Sequence, residues 1–239
     1  MDDNGCARCD GTGFVITVDE HGVSKAAPCA CRGLSRAELR RRSARIPDRY
    51  RHCTFESFAL LNNPSLEHAS RFARRVVDDF PGGDRGLLLT GPCGVGKTHL
   101  AVAALRALVE ERGAWGHFVE TAQLLRSLQD SFDRDSDIAS REVLEPVMSC
   151  DVLLLDDLGV TRGTPWERDT LGLVINERYN KNGLTILTTN LPVDSSGEVE
   201  GLSDRLGERL ASRLAEMCWT LTISGVDFRR NFRAAQFHR

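Results

Sequence analysis

Five short, mostly apolar segments recur along the chain, and longer stretches with helical periodicity separate them. Leu, Val, Ile and Thr dominate these segments, and such runs are typical of buried strands. Strands that alternate with helices favour βαβ units, so we expect a parallel sheet inside a three-layer α/β domain. The predicted strands are residues 86–90, 117–120, 151–156, 184–189 and 219–223.

Composition and charge narrow the class of protein. The 239 residues are 41% hydrophobic and 27% charged, which is typical of an ordinary folded domain with a sizeable core. The net charge of -3 gives no overall indication of a nucleic-acid partner. The acidic start, "MDDNGCARCD", lacks the features of a signal peptide, and the apolar runs are too short to span a bilayer. We therefore expect a cytoplasmic protein with reduced thiols and no membrane partner.

Four of the eight cysteines cluster near the start, in "CARC" and "CAC". In a reducing compartment such a cluster favours a tetrahedral zinc site over disulfides, although a redox CxxC and chance are alternatives. Between the pairs, "GFVITVDEHGVSKAAPC" predicts a short hairpin with Gly22 in its turn. So small a module has almost no core, and zinc would supply its folding energy. The predicted zinc ligands are Cys6, Cys9, Cys29 and Cys31.

A strongly basic stretch follows, "CRGLSRAELRRRSARIPDRYR". Ser35 is suited to cap a helix, with Glu38 in the capping-box position, and Pro47 is predicted to end that helix. The stretch is either a solvated linker or a surface for phosphates or an acidic partner, and the sequence leaves these interpretations nearly even.

A phosphate-binding loop is the most specific motif in the chain. "GLLLTGPCGVGKTHLAVAALRALVEERG" places a glycine-rich loop between a strand and a helix, and the sequence matches the Walker A pattern in its required context. Glycines let the loop amides face phosphate oxygens, and the helix N-terminus adds its positive end. Lys97 is suited to neutralise the outer phosphates and Thr98 to hold Mg²⁺, whereas Cys93 is a small filler. The predicted ATP-binding residues are Gly91, Pro92, Cys93, Gly94, Val95, Gly96, Lys97, Thr98 and His99.

Two aspartates end the strand "CDVLLLDDLG" in a Walker B arrangement. A buried parallel strand delivers carboxylates at its C-terminal edge, next to bound phosphates. Asp156 is predicted to complete the Mg²⁺ shell with Thr98, and Asp157 to orient the attacking water. Many sites of this class have glutamate at the second position, so the shorter Asp157 predicts either slow hydrolysis or an altered position of the attacking water. A plain turn is the alternative interpretation.

Asn190 stands at the tip of the strand "LTILTTN". A polar side chain there is suited to hold the lytic water between the two carboxylate-bearing edges, the role called sensor 1. Asparagine before "LP" is also typical of a turn.

The ordered set "GPCGVGKTH", "LLLDDLG", "TILTTN", "GERLASR" and "DFRRN" resembles AAA+ ATPases of the DnaC-type helicase-loader family, whose close relatives are IstB-type transposition helpers. "RIPDRYRHCTFESF" resembles the segment that leads into the family's ATPase domain, and "CxxCxGTGF" resembles members with a zinc module. The resemblance implies an AAA+ P-loop fold with a five-stranded parallel sheet. It divides the chain into a zinc-binding module (1–33), a basic helical linker (34–53) and the ATPase domain (54–239).

The same resemblance assigns arginines to the site. In the family, arginines of "GER" and "SR" type reach the γ-phosphate bound by the next protomer. Arg213 fits this arginine-finger role, with Arg209 one turn away as helper or substitute. Arg229 in "DFRR" resembles the sensor 2 arginine, with Arg230 as the fallback. Ten residues follow Arg229, so we expect the helical lid to be reduced or missing.

The resemblance also implies a function. ATP binding would join protomers through composite sites that hold single-stranded DNA and a DnaB-like replicative helicase, and hydrolysis would release them. Residues 121–150 resemble the family's helical insertion for single strands, with Phe132 and Arg134 as candidate contacts, although Phe132 also fits a core position. The alternatives are an IstB-like helper that loads a transposase and a nucleotide-gated adaptor with little turnover. A metabolic P-loop kinase fits less well, because no substrate lid is discernible.

Overall fold

A computed structural model of the chain describes residues 6, 8–9, 12–18, 22–32, 36–132, 137–161, 163–195 and 199–233. Near the start, β1 (Phe14–Val18) pairs antiparallel with β2 (Ser24–Pro28). Gly22 lies in the turn between them with φ of +77°, a conformation that side chains disfavour. The predicted hairpin is therefore confirmed, and it places Cys29 directly after its second strand.

The basic stretch forms a shorter helix than the sequence predicted. Helix α1 (Arg36–Ser43) ends four residues before Pro47, so the prediction that Pro47 ends it is wrong. The Ala44 carbonyl instead accepts a hydrogen bond from the Phe118 N–H at 2.8 Å, and Arg45 adopts a left-handed φ of +49°. The helix thus ends where the backbone at Ala44 pairs with the edge of the central sheet, before Pro47 is reached.

The central sheet has five parallel strands, which are β3 (Gly86–Thr90), β4 (Gly116–Glu120), β5 (Val152–Asp156), β6 (Leu184–Thr189) and β7 (Cys218–Thr222). They lie in the order β4-β5-β6-β3-β7. Each begins and ends within one residue of its predicted bounds. Because all five run in one direction, their carboxyl ends meet at one edge, where ligands bind in open α/β sheets.

Helices cover both faces of this sheet, and they are α2 (Pro64–Asp79), α3 (Lys97–Glu110), α4 (Thr121–Phe132), α5 (Asp137–Ser149), α6 (Pro165–Asn180), α7 (Leu202–Leu206) and α8 (Glu208–Met217). Alternate strand residues point to opposite faces. Leu87 and Leu89 pack with α2 and α3, whereas Leu88 packs with helices α4 to α8. This arrangement confirms the three-layer α/β class.

Several helices begin at signals that the sequence carries. The Asn63 side chain caps α2 by accepting from the Ser65 N–H at 2.9 Å. Thr164 and Glu167 form a reciprocal capping box at the start of α6, which satisfies backbone donors that a helix leaves unpaired. The last described element is a short π-helix (Arg229–Arg233), which follows β7.

Arg178, on α6, is a fully buried cation at 1% exposure. No carboxylate pairs with it among the residues described. Its guanidinium instead joins the end of α5 to the starts of β5 and β6 through carbonyl acceptors, and burial lowers its pKa. Its acceptors are the carbonyl oxygens of Val147, Cys150, Asp151 and Leu184 and the Thr185 hydroxyl, at 2.7–3.2 Å.

Candidate nucleotide-binding site

The glycine-rich loop joins the carboxyl end of β3 to the N-terminus of α3. Gly94 and Gly96 adopt φ of +81° and +106°, which favours glycine at both positions. A Cβ on Gly94 would lie 2.0 Å from Asp227 Oδ1, so this loop also has no room for a side chain there. The sequence therefore produces the loop that its motif predicted, with the helix N-terminus directed at the site.

Lys97 lies buried beneath this loop, at 5% exposure. Its Nζ donates to the carbonyl oxygens of Gly91 and Pro92, both at 2.8 Å, and to Asn190 Oδ1 at 2.7 Å. Burial lowers the pKa of Lys97. The three acceptors hold the ammonium group in place, and phosphate oxygens are the kind of ligand that can replace them.

Asp156 ends β5 and is almost fully buried. Its Oδ1 accepts hydrogen bonds from the hydroxyls of Thr98 at 3.0 Å and Thr188 at 2.6 Å. Burial raises its pKa to about 6, with a further contribution from the charge of Asp157, while the two hydroxyls oppose the shift. A carboxylate and a hydroxyl at one point are hard oxygen ligands of the kind that Mg²⁺ prefers.

Asp157 adopts an unusual backbone conformation, with φ of +55°. Non-glycine residues in this region cost energy and persist only where their surroundings hold them. The Asp157 N–H donates to the Thr188 hydroxyl at 2.9 Å. Thr188 therefore forms hydrogen bonds with both aspartates. The sequence does not single out Thr188, because threonine is common in strands.

The C-terminal segment packs against the phosphate-binding loop of the same chain. The Phe228 N–H donates to the Gly94 carbonyl at 3.0 Å, and the Asp227 carboxylate lies beside Gly94. Asp227 Oδ1 also accepts from the Arg229 N–H at 2.9 Å. Arg229 is exposed and lies two residues after Asp227. Burial is the main cause that lowers the pKa of Lys97, and the positive charge of Arg229 adds to it. No local pattern in the sequence indicates this role of Asp227, because its partner Gly94 lies more than a hundred residues away.

A segment before α2 packs on the first turn of α3. The Nε2 of His99 lies 3.2 Å from the Thr54 carbonyl oxygen and 3.1 Å from the Ser57 hydroxyl. The ring of Phe58 lies 5.4 Å from the His99 ring, and a Cβ on Gly96 would meet it at 2.9 Å. The His99 side chain therefore faces this segment. Its contacts with Thr54, Ser57 and Phe58 help to hold the segment against α3.

Arg209 and Arg213 lie on α8, which packs on α6. Arg213 donates to Asn176 Oδ1, and its guanidinium lies 5.3 Å from the Tyr179 ring centre. Arg209 is exposed, and nothing within the described ranges forms a hydrogen bond or ion pair with its side chain. Within the described residues, neither arginine forms a hydrogen bond or ion pair with the phosphate-binding loop of its own chain.

The four N-terminal cysteines come together, with all their sulfur atoms within 4.8 Å of one another. Cys6 Sγ lies 3.8 Å from Cys29 Sγ, and Cys9 Sγ lies 3.4 Å from Cys31 Sγ. Tetrahedral Zn–S bonds of about 2.3 Å place sulfurs about 3.8 Å apart, so this donor set fits Zn²⁺.

Much of the basic stretch is tied to its own chain. Arg40 lies over the Trp115 ring at 5.4 Å, and Arg41 pairs with Glu110 at 3.3 Å. Within the described ranges, Arg42 and Arg45 form no ion pair. The predicted cap Ser35, the side chain of Phe132 and all of Arg134 fall outside what the structure describes.

A model of the family described as IstB-like ATP binding protein matches residues 29–235. The chain belongs to this family. A solved structure, "Crystal structure of the DnaC helicase loader", is 35% identical with a TM-score of 0.66, and the match covers 74% of this chain and 100% of that one. The predicted AAA+ P-loop fold and the relationship to IstB and DnaC proteins are therefore confirmed.

Two curated relatives are similar to much of the chain. The replicative helicase loader DnaC of Escherichia coli K12 is 26% identical over 165 residues, which cover 69% of this chain and 64% of that protein. The phage-like element PBSX protein XkdC of Bacillus subtilis 168 is 26% identical over 241 residues, which cover 95% of this chain and 85% of that protein. This IstB-like chain thus spans a little under two thirds of the length of the bacterial loader. In the part of the chain described, no helix is both long and apolar enough to cross a membrane.

Proposed function

We propose that this chain is an ATPase of the helicase-loader type, whose ATP sites are completed by a second copy of the chain. One observation carries the proposal. Lys97 bonds to Asn190 and Thr98 bonds to Asp156 at the carboxyl edge of the sheet, whereas Arg213 on α8 bonds to Asn176 on α6. An arginine placed in this way is suited to a neighbour's nucleotide.

In the proposed reaction, the loop amides and Lys97 bind the ATP phosphates, and Lys97 exchanges its carbonyl acceptors for phosphate oxygens. Thr98 and Asp156 would hold Mg²⁺, which neutralises charge on the phosphates. Asp157 orients the attacking water from a backbone that Thr188 fixes. Asn190, which accepts a hydrogen bond from Lys97, would hold that water from the neighbouring strand.

The finger is the proposed contribution of the second copy. Arg213, with Arg209 as helper or substitute, would stabilise charge on the transferred phosphoryl group, an effect of about 10³ or more in rate in related systems. Arg229 would contact the nucleotide within its own chain, with Arg230 as the fallback. The contact of Asp227 with the loop supports this placement of Arg229.

The N-terminal module would bind one Zn²⁺ through its four cysteines. Structural zinc sites are tetrahedral and closed, and their ligation energy is folding energy. The hairpin supports this proposal, since Phe14, Ile16 and Val18 are exposed on it and supply little core.

ATP binding would assemble copies of the chain into a surface for single-stranded DNA and a replicative helicase, and hydrolysis would release them. The relatives named as DnaC loaders support this partner. The basic residues Arg42 and Arg45, without ion-pair partners in the described structure, are available for phosphates or an acidic partner. The insertion of α4 and α5 would grip the DNA, with Phe132 and Arg134 as candidates.

A second candidate has one observation in its favour, which is the IstB-like description of the matching family. In that case the ATP-bound assembly would recruit a transposase. Pull-downs with a purified replicative helicase and, in parallel, a purified transposase distinguish the two. We expect helicase and single-stranded DNA to be retained with a non-hydrolysable ATP analogue and lost with Lys97→Ala. Retention of the transposase alone would contradict helicase loading.

Hydrolysis itself needs a separate test, because a nucleotide-gated adaptor would pass the pull-down. Single-turnover hydrolysis with DNA and helicase present should release phosphate slowly. No phosphate release under any of these conditions would favour the adaptor.

A further inference from the structure

A second group of metal-ligand side chains lies beside the phosphate-binding loop. His52, Cys53 and His99 each present one ligand atom, and the three atoms lie within 4.8 Å of one another. His52 is exposed, Cys53 is buried and His99 is half-buried. The group therefore has one side open to solvent and one side anchored in the core.

The distances in this group suit a shared ion. Cys53 Sγ lies 3.8 Å from His52 Nε2. Zn–S and Zn–N bonds of about 2.3 Å and 2.0–2.1 Å at a tetrahedral angle place sulfur and nitrogen about 3.6 Å apart. The rings of His52 and His99 meet edge to face with their centres 5.8 Å apart. Donor atoms that lie up to 4.8 Å apart must move closer by up to about 1 Å to share one tetrahedral ion.

The hydrogen bonds of His99 favour a ligand role. A carbonyl oxygen only accepts, so the contact of 3.2 Å with Thr54 places the hydrogen of the neutral ring on Nε2. Nδ1 then carries the lone pair. Metal-bound histidines usually donate their other ring N–H to a carbonyl or carboxylate in this way, which fixes the tautomer and the ring orientation.

We propose that His52, Cys53 and His99 form a second divalent transition-metal site, distinct from the four-cysteine cluster, with Zn²⁺ as the fitting ion. One thiolate and two imidazoles leave the fourth tetrahedral position open to water. Binding releases the Cys53 thiol proton to solvent as the Cys53 sulfur–metal bond forms. With three protein ligands rather than four, this site should bind more weakly than the N-terminal cluster.

The location gives the site a consequence for the nucleotide loop. His52 and Cys53 belong to the segment before α2, whereas His99 belongs to α3, one residue after Thr98. A metal ion would therefore cross-link that segment to the first turn of α3. Phe58 lies against both His99 and Gly96, so the cross-link would stiffen the end of the phosphate-binding loop.

The test is a Co²⁺ titration of the full-length chain that carries one equivalent of zinc, which the N-terminal cluster should hold in preference to the weaker second site. Zinc binds more tightly than cobalt, so added Co²⁺ does not displace it from the N-terminal cluster. Thiolate-to-Co²⁺ charge-transfer absorption therefore reports on the second site. We expect one further equivalent per chain in the wild type. His52→Ala changes an exposed side chain and should lower the Co²⁺ affinity of the site by more than about tenfold. Loss of a residue that only hydrogen-bonds to a metal ligand already lowers metal affinity by about 10–100-fold. His68→Ala, an exposed histidine on α2 outside the group, should leave the uptake unchanged.

Cys53→Ser identifies the sulfur ligand, and thermal melting checks that the variant folds. Loss of the charge-transfer band in Cys53→Ser, with folding intact, supports the site. A wild type without cobalt–thiolate absorption means that Cys53 only fills the core and His99 only bonds to Thr54. That result, or a band that persists in His52→Ala or in folded Cys53→Ser, overturns the proposal.

Discussion

The Thr188 hydroxyl on β6 donates a hydrogen bond of 2.6 Å to Asp156 Oδ1 on the neighbouring strand β5. The same hydroxyl accepts from the Asp157 N–H at 2.9 Å. One side chain thus orients the carboxylate proposed to hold Mg²⁺ and fixes the backbone of the residue proposed to orient water. Thr188 is a positioning residue for both.

Replacing Thr188 tests this positioning. Thr188→Val keeps the shape of the side chain and removes the hydroxyl. We expect kcat to fall by about 10–100-fold and the Mg²⁺ concentration needed for half-maximal activity to rise. Thr188→Ser keeps the hydroxyl and should retain most of the activity. ATPase assays over a range of Mg²⁺ concentrations measure both effects. Equal ATPase rates in Thr188→Val and the wild type would mean that the Thr188 hydroxyl does not position the two aspartates.

Asp156 should reduce the stability of the nucleotide-free protein at neutral pH. Its pKa is raised to about 6 from an ordinary 3.8 because the carboxyl is buried. Protonation therefore stabilises the folded state, fully below about pH 4, and this contribution is lost as the pH rises through 6. Asp156→Asn should raise the free energy of unfolding at about pH 7.5 by up to about 3 kcal/mol.

This gain from Asp156→Asn should shrink as the pH falls below 6, since the wild-type carboxyl then becomes neutral. Urea unfolding of both proteins at about pH 7.5 and about pH 5 measures the difference, which we expect to narrow by roughly 1 kcal/mol. A gain that does not change with pH would mean that the ionisation of Asp156 is not its source.

The N-terminal cluster should hold one tightly bound zinc per chain. Strong chelation should remove it and unfold about the first thirty residues only, because zinc supplies the folding energy of this module. Metal analysis and hydrogen exchange measure the two effects. Cys9→Ser should lose the zinc, whereas Cys93→Ser, an exposed cysteine outside the cluster, should keep it. Pure protein without zinc would contradict the assignment.

Arg178 should be among the most sensitive positions for stability. Arg178→Leu leaves four carbonyl oxygens, two of them in buried hydrogen bonds, and the buried Thr185 hydroxyl short of a donor, so we expect a loss of roughly 3–5 kcal/mol. Lys181→Met removes an exposed ion pair with Glu177 near the end of the same helix and should cost under about 1 kcal/mol. Similar unfolding midpoints for the two variants would contradict this role of Arg178.

The sequence predicted those parts of the site that a short local motif specifies. The glycine loop, Asp156 and Asn190 each lie at a strand end, and a parallel sheet brings strand ends together. Thr188 was missed because its role depends on the neighbouring strand, and Asp227 because it packs on a loop far away in the chain. Arg178 was missed because a charged residue in a helix normally faces solvent.

The central claim is that the ATP site forms only between two copies of the chain. Lys97→Ala removes the phosphate-binding lysine, and Arg213→Ala removes the proposed finger, so each variant alone should be nearly inactive. In an equal mixture, a head-to-tail interface places an intact loop against an intact finger in about a quarter of the contacts. We expect the mixture to recover about that fraction of the wild-type ATPase rate, whereas a mixture no more active than the mean of its two components would contradict the claim.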